Sequence, residues 1–153
     1  MRPRVGDRAP AFRLPAHDGQ TIEVGAGERP KVMVLYFYPA DETYGCTMEA
    51  CGFRDEYESF VDEGAMVVGV SPDSLESHRR FAEHHRLPFS LLSDPDGALR
   101  NKYGVGRTLG LVPGRVSFVI DRQGVIRHVF DSQLRARQHV GKALGVVRRL
   151  SAR

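Results

Sequence analysis

At 153 residues the chain can bury one sizeable core, and its 41% hydrophobic and 27% charged residues exclude a disordered or low-complexity protein. The net charge of +3 is small beside 22 basic and 19 acidic side chains, so no nucleic-acid or other polyanionic partner is expected. No apolar run is long enough to cross a bilayer, and two cysteines are too few for a disulfide scaffold.

The segment Met1 to Asp7 lacks the apolar stretch and cleavage site of a secretory leader, so a cytoplasmic protein is expected. In a reducing compartment, two cysteines leave either transient redox chemistry or inert burial. Phe12 to Leu14 and Gln20 to Val24 flank an Asp18-Gly19 turn and predict a β-hairpin. Gly25 to Pro30 reads as a polar loop. Val32 to Tyr38 is continuously apolar, which suits a central strand covered on both faces, and Pro39 ends it. From Gly45 to Glu63 the spacing of Ala50, Phe53, Tyr57 and Phe60 predicts one amphipathic helix. Ala65 to Val70 reads as a second buried strand. Leu75 to about His85 follows as a helix capped by Ser74. On it His78, His84 and His85 lie in a charged stretch and are expected to be solvated. A third strand over Phe89 to Leu92 and a short helix from Asp94 toward Tyr103 come next. Val116 to Ile120 and Val125 to Phe130 flank a second turn, Asp121 to Gly124. Val140, Ala143, Leu144, Val147 and Leu150 stripe a C-terminal helix, with Arg148 and Arg149 off its centre. The sum is a single domain over residues 1–153: a mixed α/β sheet with helices on both faces and an N-terminal hairpin.

The informative segment runs from Pro39 to Cys51. It leaves a buried strand and opens a helix, the place where α/β sheets carry their sites. Cys46 falls in the first helical turn, where free N–H groups and the positive dipole end favour the nucleophilic thiolate. Cys51 lies five residues on, which in an ideal helix places the two Cα atoms about 8–9 Å apart. That exceeds the roughly 7 Å limit for a disulfide, so the two can bond only if the first turns unwind. Burial as small hydrophobes remains the alternative for both. A metal site built on the two thiolates finds no matching spacing among His78, His84 and His85. No haem, flavin or nucleotide motif is present, so no cofactor is expected.

Pro39, Thr43 and Cys46, at their spacing, resemble the active-site motif of peroxiredoxins. Tyr36 to Pro39, Gly45 to Thr47, Glu49 to Cys51 and Phe53 to Asp55 resemble the bacterioferritin-comigratory-protein/PrxQ branch. The likeness extends through Gly6-Asp7, Ala9 to Phe12, Leu91 to Asp94, Leu111 to Arg115 and Phe118 to Asp121. It implies a thioredoxin-like fold and reduction of hydrogen peroxide and organic hydroperoxides, in antioxidant defence. Cys46 matches the peroxidatic cysteine, which becomes a sulfenic acid, and Cys51 the resolving cysteine that closes an intramolecular disulfide. Thr43 matches the hydroxyl that holds thiolate and peroxide, and Arg115 the guanidinium that lowers the thiolate's pKa. Pro39 would shield the pocket, and Glu49 would orient an arginine. On residues alone, Thr43 serves equally as a helix cap and Arg115 as a solvated side chain. The resemblance further implies recycling by thioredoxin or a similar dithiol, and a monomer. Two departures stand out: Tyr44 replaces the family's usual proline, and Val116-Ser117 replaces a polar residue and threonine.

Two rival functions differ in class. A thiol-disulfide exchanger would carry Cys-x-x-Cys, which is absent. A binding or chaperone protein with idle cysteines would survive serine at both positions.

Overall fold

The computed structural model describes residues 2–25, 27–108 and 112–152; Met1, Ala26 and Leu111, which the sequence reading includes, lie outside them. Strands β1 (Phe12–Pro15) and β2 (Thr21–Val24) form the expected antiparallel hairpin. Strand β3 (Val32–Phe37) is buried along its whole length, and its alternation divides the core. Val32, Val34 and Tyr36 join one hydrophobic cluster, while Met33, Leu35 and Phe37 join the other.

The first cluster takes in α1 (Tyr44–Asp55), α2 (Tyr57–Asp62), α3 (Leu75–His85) and, at the C-terminus, α5 (Ala136–Ser151). The second lies under the hairpin and α4 (Ala98–Lys102). Between them, β4 (Ala65–Ser71) and β5 (Ser90–Ser93) run parallel to β3. Near the chain's end, β8 (Val116–Ile120) runs antiparallel to β3 and to β9 (Ile126–Asp131). The five-stranded order is β5-β4-β3-β8-β9, a mixed sheet flanked by helices.

Three elements depart from expectation. The helix expected over Gly45 to Glu63 is two segments, separated at Glu56, whose φ of −99° and ψ of 6° leave the helical region. Across that bend Phe53 and Phe60 stay wholly buried, ring centroids 5.7 Å apart. A two-residue ladder, β6 (Arg107–Thr108) with β7 (Val112–Pro113), is too short for any sequence pattern to mark. Finally, His78 is not solvated. It sits three and four residues before the buried Phe81 and Ala82, so it belongs to the inward stripe of α3 and is fully buried. The expected Ser74 cap is present, its hydroxyl accepting from the Ser77 N–H at 3.1 Å.

Candidate active site

The carboxyl end of β3 hands the chain to a short loop, Tyr38 to Thr43, that opens α1. The first intrahelical bond runs from the Thr47 N–H to the Thr43 carbonyl, so Cys46 lies in the turn whose N–H groups precede the ladder. Its side chain is 1% exposed and its thiol is free, as is that of the half-buried Cys51. Because β8 runs antiparallel and pairs Val116 with Phe37, the residue just before the strand, Arg115, arrives beside the start of α1.

There Arg115 donates from Nη2 to Cys46 Sγ at 3.3 Å and from Nη1 to Glu49 Oε1 at 2.6 Å. Its Nε donates to the Gln133 carbonyl at 3.3 Å, which fixes the plane of the guanidinium. Burial alone would lower the arginine's pKa, but the Glu49 carboxylate and the Cys46 sulfur outweigh it and raise it. Glu49 is completely buried on the next turn of α1, and burial pushes its carboxyl up to about 8 against the pull of Arg115. One guanidinium thus faces two potential anions.

A layer the sequence reading missed lies behind Glu49. His139 of α5 is wholly buried, with Nε2 2.8 Å from the Ser132 carbonyl and Nδ1 2.6 Å from Ser117 Oγ. A carbonyl can only accept, so Nε2 carries the hydrogen and Nδ1 accepts from the serine. Burial lowers the pKa of His139 to about 4, so its Nδ1, 3.5 Å from Glu49 Oε2, makes a polar approach rather than an ion pair. The sequence held a signal for this residue: His139 lies one position before Val140 and four before Ala143, on the buried face of α5.

The loop before Cys46 is held from α3. Asp41 accepts from Tyr38 Oη at 2.6 Å and Ser77 Oγ at 2.7 Å, and lies 2.8 Å from His78 Nδ1. His78 Nε2 faces the Leu92 carbonyl at 2.9 Å, so both ring nitrogens face oxygen acceptors. The Asp41 carboxyl sits below its ordinary value: burial acts to raise it, but the bonds from His78, Tyr38 and Ser77 prevail.

Of the expected site residues, Cys46, Glu49 and Arg115 meet directly. Gly45 leaves space for the group, for a Cβ there would lie 3.0 Å from Arg115 Nη2. Thr43 lies at the N-cap position without making a side-chain cap, so that alternative does not hold. Its hydroxyl donates to the Ala40 carbonyl at 3.0 Å and, among the described residues, makes no hydrogen bond to Sγ. Pro39, Thr43, Tyr44, Gly45, Met48 and Arg115 line an 820 Å³ cavity together with Val112 and the segment from Gln133 to Gln138. Tyr44, 83% exposed, makes the mouth aromatic where the family has proline. Cys51 lies on the same helix, with the helix intact between the two thiols.

Similarity to known proteins agrees with this arrangement. The model of the AhpC/TSA family matches residues 5–129. Peroxiredoxin Q, chloroplastic, of Triticum aestivum is 43% identical over 146 residues, covering 95% of this chain and 67% of the relative. The crystal structure of peroxidoxin BcpB from Mycobacterium tuberculosis superposes with a TM-score of 0.84 at 36% identity, over 96% of this chain and 97% of that one. A bacterioferritin comigratory protein of Xanthomonas campestris, described for alkyl peroxide reduction, gives 0.81 at 26% identity over 92% of each chain. No helix among the described residues is long and apolar enough to cross a membrane. The chain belongs to the AhpC/TSA family: it is a peroxiredoxin of the peroxiredoxin Q and bacterioferritin-comigratory type, a thiol peroxidase on a thioredoxin-like fold.

Proposed function

We propose that Cys46 is the peroxidatic cysteine of this single-domain enzyme and Cys51 its resolving partner. The observation that carries the assignment is the 3.3 Å bond from Arg115 Nη2 to Cys46 Sγ, in the first turn of α1 and beside an open cavity. The thiolate attacks one oxygen of the peroxide, the O–O bond breaks, and the other oxygen leaves as water or an alcohol after taking a proton. Arg115 stabilises charge on the sulfur and, as the O–O bond breaks, on the leaving oxygen, a role supported by the bond from Nη2 to Sγ while Nη1 is held by Glu49. Thr43 has its hydroxyl hydrogen engaged with Ala40, which leaves oxygen lone pairs to accept from the peroxide. Glu49 acts through Arg115 as a positioning residue.

The sulfenic acid then condenses with the Cys51 thiol, releasing water and leaving an intramolecular disulfide. This needs the first turns of α1 to open, and a dithiol of the thioredoxin type to reduce the product. Such a cycle needs a reducing compartment, of which the cytoplasm expected from the sequence is one. The cavity walls favour organic hydroperoxides with an apolar tail alongside hydrogen peroxide: Met48, Val112 and Leu134 face it with little polar competition. We take the chain to act as a monomer.

The test is to treat reduced protein with one equivalent of hydrogen peroxide and follow free thiols and intact mass. The wild type should lose both thiols and about two mass units, the two hydrogens of disulfide formation. Cys51→Ser should stop at a sulfenic or overoxidised Cys46, and Cys46→Ser should not react. Consumption of peroxide by Cys46→Ser at the wild-type rate would sink the assignment.

A further inference from the structure

Around the loop that precedes Cys46, one cluster plays no part in the peroxide chemistry. Glu42 holds a left-handed conformation, φ 62°, that side chains other than glycine rarely adopt. In that pose its two carboxylate oxygens face two adjacent imidazoles at the end of α3. Oε2 lies 2.9 Å from His84 Nδ1, and Oε1 lies 2.7 Å from His85 Nε2. One candidate ligand atom from each of the three residues lies within 4.8 Å of the others.

We propose that Glu42, His84 and His85 bind a divalent transition-metal ion of the zinc class, and that the bound ion fastens the active-site loop to α3. Two imidazoles and one carboxylate are a nitrogen–oxygen set suited to zinc, with a fourth position open to water. Calcium or magnesium would want more oxygen ligands than the cluster supplies. Neighbouring residues on a helix point about 100° apart, which ordinarily keeps two adjacent histidines from sharing an ion. Here His84 turns its near nitrogen and His85 its far nitrogen to the same carboxylate, with ring centroids 4.2 Å apart. His85 is further set by edge-on contact with the buried Phe81 at 5.1 Å, whereas the Glu42 and His84 side chains are 46% and 66% exposed and can rotate inward. Zinc–ligand distances of about 2.0–2.2 Å bring such donors to roughly 3.3 Å of one another, so side-chain rotation alone closes the site. Spacing along the chain could not reveal it, because the carboxylate comes from a different element.

The consequence reaches Cys46 through the backbone. Glu42 precedes the Thr43 N-cap, while the His85 carbonyl accepts from Arg54 Nη1 at 2.8 Å, so α3 grips both the loop and the far end of α1. Resting on the reading that α1 must open to join Cys46 and Cys51, an ion at this cluster opposes that opening. The sulfenic acid is formed at its usual rate, but its resolution is slowed and its exposure to a second peroxide lengthens.

Because thiolates bind zinc themselves, the site is tested first in the Cys46→Ser/Cys51→Ser protein. Zinc and cobalt(II) are titrated by equilibrium dialysis, and the visible cobalt spectrum is recorded. One ion per chain is expected, without thiolate charge-transfer bands, and Glu42→Gln or His84→Asn should weaken binding about tenfold or more. No saturable binding, or binding unchanged in both variants, overturns the site. The second arm mixes reduced protein, with the native cysteines, and peroxide rapidly, with and without zinc. The ion should slow disulfide formation while leaving sulfenic-acid formation unchanged, and Glu42→Gln should abolish the slowing. Equal slowing in Glu42→Gln places the ion on the cysteines and overturns the clamp. The first arm contains no cysteine, so a failure of the resolving mechanism leaves its result standing and the two are told apart.

Discussion

Gly45 leaves Arg115 its room: a Cβ on Gly45 would stand 3.0 Å from Nη2, the nitrogen that reaches Cys46, and 3.7 Å from Cζ. Gly45 has ordinary helical backbone, so alanine there brings no backbone strain and favours the helix by up to about 1 kcal/mol, and its Cβ fits only if the guanidinium gives way. Gly45→Ala should therefore push the guanidinium off the sulfur without unfolding anything. We expect thiol oxidation about tenfold slower by stopped flow, roughly the loss of 1.4 kcal/mol of stabilisation, with a melting temperature no lower than the wild type. An unchanged rate would mean that this contact does not set the reactivity of Cys46.

Replacing Arg115 by lysine keeps the charge but loses the fork. One ammonium on a flexible stem cannot hold Sγ and Glu49 Oε1 in the geometry that Nη2 and Nη1 now span. Arg115→Lys should cost about 10²–10³ in the rate of peroxide consumption, the scale of losing one preorganised donor. Recovery of the wild-type rate by lysine would show that only charge is needed.

Glu49 and His139 make opposite contributions to stability against pH. The folded chain keeps the Glu49 proton to about 8, where the unfolded chain releases it near 4.5, so this group's stabilisation fades as pH rises through that window. His139 is depressed from 6.5 to about 4, so its contribution is present above 6.5 and is lost as pH falls toward 4. Each slope is at most about 1.4 kcal/mol per pH unit, and the two offset one another between about 4.5 and 6.5. Relative to the wild type, urea titrations of Glu49→Gln should show stability rising more steeply with pH between 4.5 and 8, and those of His139→Gln should show it rising less steeply between 4 and 6.5. Parallel profiles in the two variants would remove the buried proton from the account of the site.

Tyr36 carries a fully buried hydroxyl with no partner among the described residues, packed against Gly69 and stacked on Phe53 at 4.6 Å. A lone buried hydroxyl costs about 1–3 kcal/mol in lost hydration, while the ring is what fills the core. Tyr36→Phe should raise the urea midpoint, by about 1 kcal/mol of stability, with unaltered peroxidase activity. A destabilised variant would show that the hydroxyl is satisfied in solution.

Much of this molecule was legible where one physical signal dominated. Val32 to Phe37 is apolar at every position because both sheet faces are covered, and the Cys46 segment combined a strand exit, a helix start and a family motif. What stayed hidden was polar chemistry placed on apolar stripes. His78 and His139 each sit at helical spacing from buried residues, yet His78 read as solvated and His139 carried no reading at all, and their partners Asp41, Ser117 and Glu49 come from other elements. Glu56 ends α1 through its backbone angles, with no proline or glycine there to mark the bend. Arg115 could be placed by resemblance alone, since an arginine before a strand is usually solvated, whereas this one is 4% exposed.

Arg115 reaches Cys46 because β8 pairs with β3 in one alignment, Val116 opposite Phe37. A slip of one residue would turn every side chain of β8 to the opposite face and carry the guanidinium away from the sulfur. During refolding, the return of peroxide turnover therefore times the alignment of the sheet's two central strands, an event that helix content or compactness alone would not register. Catalysis in this chain doubles as a clock for the joining of two strands more than 70 residues apart in sequence.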